Sequence, residues 1–294
     1  MRSGTHGDKR LGGDCLEAVQ ERNRGWWERT PMTYDWRAAA PGERDLVWFN
    51  EQDRLNVEAH RFFASERTPF DQLIPFSDLR GKRVLEIGVG AGFHAELMAR
   101  AGAEVTGIDL TDAAVSTARR RFDLKTLEGR FLRWDAEQPL NEFERRFDFV
   151  WSWGVIHHSA RTARIVRNVS SWLADSGRFA GMVYHREAMS SAATLFLHGV
   201  LGGKLWSRSI DEMLWRSTDG FSARFYPAEL WRDLLIGFFD DASVDVAGLE
   251  SDVLPVPRRL RKIMVRRLSA CQTRALLARW GSFVIFNAKR PLRF

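Results

Sequence analysis

From Val84 to Thr111 the chain reads VLEIGVGAGFHAELMARAGAEVTGIDLT, with Gly88, Gly90 and Gly92 at every second position, Glu86 before them and Asp109 beyond. Glycine lets a backbone approach a ligand closely and adopt dihedral angles closed to other residues. The spacing is not the Gly-x-Gly-x-x-Gly of dinucleotide sites, whose third glycine falls here on Phe93, and no Gly-Lys-Ser/Thr of a phosphate loop follows. Glu86 adds a charge that discriminates: a carboxylate beside the loop repels pyrophosphate and suits a cation. Asp109 stands where an acidic side chain accepts hydrogen bonds from ribose hydroxyls, although a carboxylate facing the next helix dipole would occupy the same place. Asp135, in RWDAE, is positioned to accept from an exocyclic adenine amine, with a turn aspartate as the alternative.

These residues need a scaffold that gathers strand ends. From Lys82, RVLEIG, EVTGIDL, TLEGRFLRWD, FDFVWSWG and GRFAGMVYH read as strands, and FHAELMARAG, DAAVSTARRRF and RTARIVRNVSSWLA as helices between them. Such alternation predicts a parallel, doubly wound α/β sheet with right-handed crossovers, and Thr111 is the expected N-cap of its helix. Helices are also predicted over 15–30 and 44–66, inside an N-terminal helical extension spanning 1–80. The remaining domain, 81–294, carries a helical insertion at about 186–226 after the fifth strand, and the two helical segments form a cap over the sheet. PAELWRDLLIGFF then reads as a helix, DASVDVAGL and GSFVIFNAKR as late strands, and a basic helix is predicted between them from Pro257 to Leu277.

A ligand with an adenosine, a positive charge and no phosphate satisfies Glu86, Asp109 and Asp135 together, and S-adenosyl-L-methionine is such a molecule. With VLEIGVGAG, VTGIDLT, RWDAE and FDFVWSWGVIHHS in this order, the chain resembles the class I S-adenosylmethionine-dependent methyltransferases of small-molecule type. The resemblance implies a Rossmann-like, seven-stranded sheet whose last strand is antiparallel. It implies that Glu86, Gly88, Gly90 and Gly92 surround the methionine and ribose portions of the cofactor and that Asp109 binds the ribose. Leu110 would then pack on the adenine, Asp135 and Ala136 would meet its polar edge, and Trp153 would run toward the methyl group. The spent cofactor would be S-adenosyl-L-homocysteine.

Methyl transfer from a sulfonium is an in-line displacement, in which a protein chiefly positions the nucleophile and excludes water. His157 and His158, following the fourth strand, are candidate bases for a nucleophile that must lose a proton; pinning the loop is the alternative role for each. Tyr34, Tyr184 and His185 are candidates to face the substrate, with packing as their alternative. Aromatic residues crowd the segments outside the central sheet, which suits a hydrophobic or aromatic small-molecule acceptor in specialised or quinone-like biosynthesis. Oxygen, nitrogen and carbon all stay open as the methylated atom. An acceptor on RNA or protein, or a non-catalytic cofactor-binding relative, are the competing readings.

The 294 residues carry a net charge of +6, yet arginine is scattered along the chain instead of forming a patch, so no nucleic-acid partner is expected. Cys15 and Cys271 match no metal spacing or redox pair, so neither a metal site nor a disulfide framework is expected, and the cytoplasm is the expected compartment. No run approaches the roughly 18 apolar residues of a membrane span. N-terminal helices that are free to exchange leave room for a homo-oligomer.

Overall fold

The computed structural model describes residues 15–32, 44–64, 68–253, 264–265 and 267–293. Seven strands hydrogen-bond side by side in one sheet. In chain order they are β1 (Arg83–Ile87), β2 (Glu104–Asp109), β3 (Arg130–Arg133), β4 (Phe147–Trp153), β5 (Leu173–His185), β7 (Phe239–Ala247) and β8 (Phe283–Pro291). Their spatial order is β3-β2-β1-β4-β5-β8-β7, and a two-residue strand β6 (Phe225–Tyr226) pairs with the end of β5. The first five run parallel, and β8 is antiparallel to both β5 and β7. This is the doubly wound sheet with an antiparallel last strand that the alternation and the resemblance imply.

The sheet is apolar on both faces because helices cover both. Adjacent residues of one strand enter different cores: Leu85 and Ile87 pack with Val150, Trp172, Phe179 and Trp231, while Val84 packs with Phe70, Met98, Phe149 and Trp151. Helices α3 (Phe93–Arg100), α4 (Asp112–Leu124) and α5 (Thr162–Trp172) make the early crossovers. Thr111 caps α4 by accepting from the Ala114 amide, as expected.

Two helices precede the sheet, α1 (Leu16–Arg29) and α2 (Leu46–Ala59). The second ends seven residues before its predicted limit. His60 terminates it, its ring Nδ1 lying 3.0 Å from the Asn56 carbonyl, and a 3₁₀ turn over Arg61–Phe63 follows. After β5, the insertion holds α6 (Met189–Thr194), a π-helical stretch (Leu195–Leu201) and α7 (Ile210–Arg216) before β6. Helix α8 (Ala228–Ile236) leads into β7, followed by the short α9 (Glu250–Val253) and then α10 (Ala270–Trp280). Within the predicted basic helix Met264 and Val265 are helical, and α10 starts after Ser269, which forms a reciprocal capping box with Gln272. Residues 254–263 lie outside the described segments, as does Tyr34.

Candidate active site

Parallel pairing brings the carboxyl ends of β1, β2 and β4 to one rim, with Ile87 opposite Ile108 and Glu86 opposite Trp151. The loops leaving these strands border a cavity of about 700 Å³. All three loop glycines have positive φ, at 77°, 51° and 76° for Gly88, Gly90 and Gly92. Their surroundings differ. A Cβ on Gly88 would stand 2.2 Å from a methyl group of Val155, and one on Gly92 would touch Ala118, whereas one on Gly90 would meet no protein atom within 4 Å. Only the middle glycine presents bare backbone to open space.

Asp109 closes this loop from β2. Its Oδ2 accepts from the Gly90 amide at 3.1 Å, and its Oδ1 accepts from the amide and hydroxyl of Thr111 at 3.0 and 2.9 Å. Burial pushes its carboxyl upward, against the lowering effect of these donors. Glu86, fully enclosed at the end of β1, has its Oε1 at 3.2 Å from His94 Nδ1, while its Oε2 has no protein partner. His94 Nε2 is likewise unpartnered. Burial drives the Glu86 carboxyl well above its usual range and the His94 ring down to about 3, so the enclosure favours the uncharged form of each. A buried acid with an unused oxygen on a cavity wall can take a cationic or hydrogen-bond-donating group, since a buried polar atom without a partner is costly. With the open space over Gly90, these residues fit an adenosyl sulfonium ligand.

Leu110, Asp135 and Ala136 line the same cavity further along. Asp135 Oδ1 accepts from the Glu137 amide at 2.9 Å and from the Gln20 side chain of α1 at 3.0 Å. Burial raises the Asp135 carboxyl. Ala136 contributes its carbonyl to Asn168 at 2.8 Å. Helix α1 thus reaches the end of the cleft predicted for adenine. It is also fastened to α4, whose first amides, Asp112 and Ala113, donate to the Glu28 carboxylate at 3.0 and 3.1 Å.

Helix α2 also walls the cavity. Asp53 of α2 receives Arg121 of α4 through both carboxylate oxygens, at 2.7 and 2.6 Å, and Arg121 Nε donates to Glu96 of α3 at 2.6 Å. Arg121 is 1% exposed and lies over the rings of Phe49 and Phe93. A guanidinium this deep must be paired, and the pairing fixes α2 so that Asn56 and His60 face the cavity. Trp153, on the same lining, directs its indole N–H toward His60 Nε2 at 3.4 Å and stacks on Trp151.

The two histidines after β4 occupy different environments. His157 is wholly buried, off the cavity lining, its ring 3.9 Å from that of Tyr184, and neither ring nitrogen has a partner. Burial holds its ring well below the usual histidine range. His158 lines the cavity. Its Nδ1 is 2.7 Å from the Ser222 carbonyl; a nitrogen facing a carbonyl carries the proton, which leaves Nε2 as the basic nitrogen of the neutral ring. Tyr184 also lines the cavity, and burial raises its hydroxyl. His185 does not: it is buried behind the wall, Nδ1 donating to the Gly281 carbonyl at 2.8 Å. Gln20, Asn23, Asn56, His60 and His94 line the cavity without having been singled out in the sequence. Among the described residues no group of three or more His, Cys, Asp or Glu is arranged to hold a metal ion.

Residues 84–177 match a family described as a methyltransferase domain. A ubiquinone biosynthesis O-methyltransferase of Ralstonia nicotianae is 31% identical over 232 residues, covering 74% of this chain and 87% of that protein. The chain belongs to the class I S-adenosylmethionine-dependent methyltransferases. This methyltransferase is also 28% identical over 187 residues to the protein of that description from Stutzerimonas stutzeri, covering 60% of this chain and 77% of the relative. A chain of a solved Haloferax volcanii complex containing a methyltransferase activator shares the fold, with a TM-score of 0.51 at 16% identity, covering 85% of this chain and 97% of that one. The methyltransferase uses S-adenosyl-L-methionine. No described helix is long and apolar enough to cross a membrane.

Proposed function

We propose that the protein methylates a hydroxyl oxygen on an aromatic small molecule, with His158 as the general base. The observation carrying this reading is the orientation of His158: its ring is on the cavity wall, with Nδ1 committed to the Ser222 carbonyl and Nε2 basic. His157, enclosed away from the cavity, is the weaker candidate. The neighbouring wall is formed by Trp153, Tyr184, Phe225 and Phe283, flat rings that suit an aromatic acceptor. The activity of the two relatives, O-methylation in ubiquinone biosynthesis, is of the same kind.

In this reading Glu86 takes the cationic methionine end, Gly88 and Gly92 hold the loop turn, and Gly90 allows close approach. Asp109 takes the ribose, while Leu110, Asp135 and Ala136 flank the adenine. Trp153 walls the approach to the acceptor. The bound cofactor supplies an electrophilic methyl group. His158 Nε2 removes the acceptor hydroxyl proton as that oxygen becomes the nucleophile, a contribution worth about 10²–10⁴-fold. Tyr184 borders the acceptor; His185 supports the wall from behind. The exposed free thiols Cys15 and Cys271 accord with a reducing cytoplasm.

The test supplies methyl-labelled cofactor with a panel of catechols, phenols, anilines and electron-rich alkenes. Label recovered as an aryl methyl ether, and a His158→Ala loss of at least about 10² in kcat, are expected. Label on nitrogen or carbon, or full turnover by the variant, overturns the proposal.

A further inference from the structure

His158 sits in a single 3₁₀ turn, Ile156–His158, whose own backbone gives it one bond, from its amide to the Val155 carbonyl at 2.9 Å. A turn that short does not fix a side chain. Beside the rings of His157 and of Tyr184 on β5, further contacts come from two segments outside the central sheet. The Ser222 carbonyl, in the insertion, accepts from His158 Nδ1 at 2.7 Å, and the Ser222 hydroxyl lies 3.1 Å from the His158 carbonyl and 2.9 Å from Asn23 Oδ1. Asn23 of α1 closes the ring by donating from Nδ2 to the His158 carbonyl at 2.6 Å. Trp27, one helical turn further along α1, meets the imidazole edge-on at 5.2 Å. Gly220, with φ of 85°, brings the insertion so near that a Cβ there would stand 2.9 Å from His158 Nδ1.

Asn23, Ser222 and His158 are all buried. Enclosed amides and hydroxyls keep one geometry because every alternative strands a polar atom. The Asn23 amide is oriented by this arrangement: its NH₂ faces a carbonyl and its oxygen faces a hydroxyl, the only assignment that matches donors to acceptors.

We infer that Asn23 and Ser222 are positioning residues for His158, so that α1 and the insertion set the tautomer and aim of its imidazole. The inference rests on the reading of His158 as the base. Asn23 holds the backbone of the turn, and the Ser222 carbonyl holds the ring with Nδ1 protonated. Ser222 Oγ joins the two clamps, so a displacement of α1 reaches the imidazole through one shared hydroxyl.

The test uses the full chain carrying Asn23→Ala, Ser222→Ala, His158→Ala or the Asn23→Ala/His158→Ala pair. Each is assayed with labelled cofactor and the best acceptor of the panel above, and each histidine-containing protein is examined by ¹⁵N NMR of labelled histidine. Asn23→Ala should lower kcat by about 10–100-fold, change the cofactor KM by less than about threefold, and move the His158 nitrogen shifts from one tautomer toward an average of two. In the His158→Ala background the same substitution should cost less than about twofold, because residues acting through one group are not additive. Ser222→Ala keeps the carbonyl and removes the hydroxyl; it should retain the tautomer and lose about three- to tenfold in kcat, and it serves as the second arm if Asn23→Ala does not fold. Equal losses from Asn23→Ala in both backgrounds, or unchanged nitrogen shifts in Asn23→Ala, overturn the inference. Unchanged turnover in His158→Ala removes the base reading alone, and the nitrogen shifts then still decide whether Asn23 orients the ring.

Discussion

Asp109 Oδ2 accepts a hydrogen bond from the Gly90 amide at 3.1 Å, which ties the end of β2 to the one loop glycine with open space above it. The carboxylate therefore shapes the loop, and in the proposed reading it also takes the ribose. Asp109→Ala is expected to weaken cofactor binding by at least about tenfold, equivalent to 1.4 kcal/mol. It should also lower the unfolding free energy by about 1–3 kcal/mol, because the Gly90 and Thr111 donors lose their acceptor. Titration calorimetry and urea unfolding measure the two effects; wild-type affinity in the variant would remove Asp109 from the cofactor site.

The three loop glycines should separate under substitution. Gly88→Ala forces a methyl against Val155 at 2.2 Å on top of an unfavourable positive φ, and should cost more than about 2 kcal/mol of stability. Gly90→Ala carries only the backbone term, about 1–2 kcal/mol, but its methyl enters the cavity, so cofactor affinity should fall by about tenfold or more. A Gly90→Ala protein that binds the cofactor normally would show that the bare backbone is not a contact surface.

The parts legible in the sequence are those encoded locally. Alternating apolar runs betray strands, and acidic residues at strand ends, such as Glu86 and Asp109, fall on the rim because a parallel sheet puts all its carboxyl ends together. The polar residues of the cap were not legible. Asn23 and Gln20 sit on a helix where such residues ordinarily face solvent, and nothing in their spacing points to partners at positions 158 and 135. Arg121 looks like one more arginine in ARRRF, yet it is buried between Asp53 and Glu96. Contacts that span α1, α2 and the insertion depend on how the cap docks, and that information is distributed over the whole chain. The two-residue β6 is too short to carry a periodic signal.

The proposed role of Glu86 carries a pH dependence. Burial raises the Glu86 carboxyl, so part of the free protein holds it protonated at a pH where an exposed glutamate is ionised. A cationic ligand favours the carboxylate, so binding should release a proton and affinity should weaken as pH falls through the raised pKa. Glu86→Gln keeps an oxygen for His94 and removes the titration. Its cofactor affinity should be at least about tenfold weaker and nearly independent of pH. Calorimetry in buffers of different ionisation enthalpy counts the protons; equal proton release from both proteins would place the linkage on another group.

His60 predicts an acid limit to stability. Its ring is lowered from 6.5 to about 4, chiefly by burial, with the Asn56 carbonyl acting the other way and His94 adding to the lowering. Rings of Phe63, Phe70 and Trp153 enclose it. As pH falls below 6.5 the unfolded chain takes up this proton before the folded one. The stabilisation from His60 is therefore complete above 6.5 and is lost progressively as pH falls through about 4. His60→Gln removes that proton. Between those limits the wild-type unfolding free energy should fall more steeply than that of the variant, by about 1.4 kcal/mol per pH unit. Urea unfolding at pH 7.0, 6.0 and 5.0 provides the comparison, because the other buried groups titrate equally in both proteins and cancel. Parallel slopes would mean that His60 is protonated alike in the folded and unfolded states, and that the ring is open to water between α2 and Trp153.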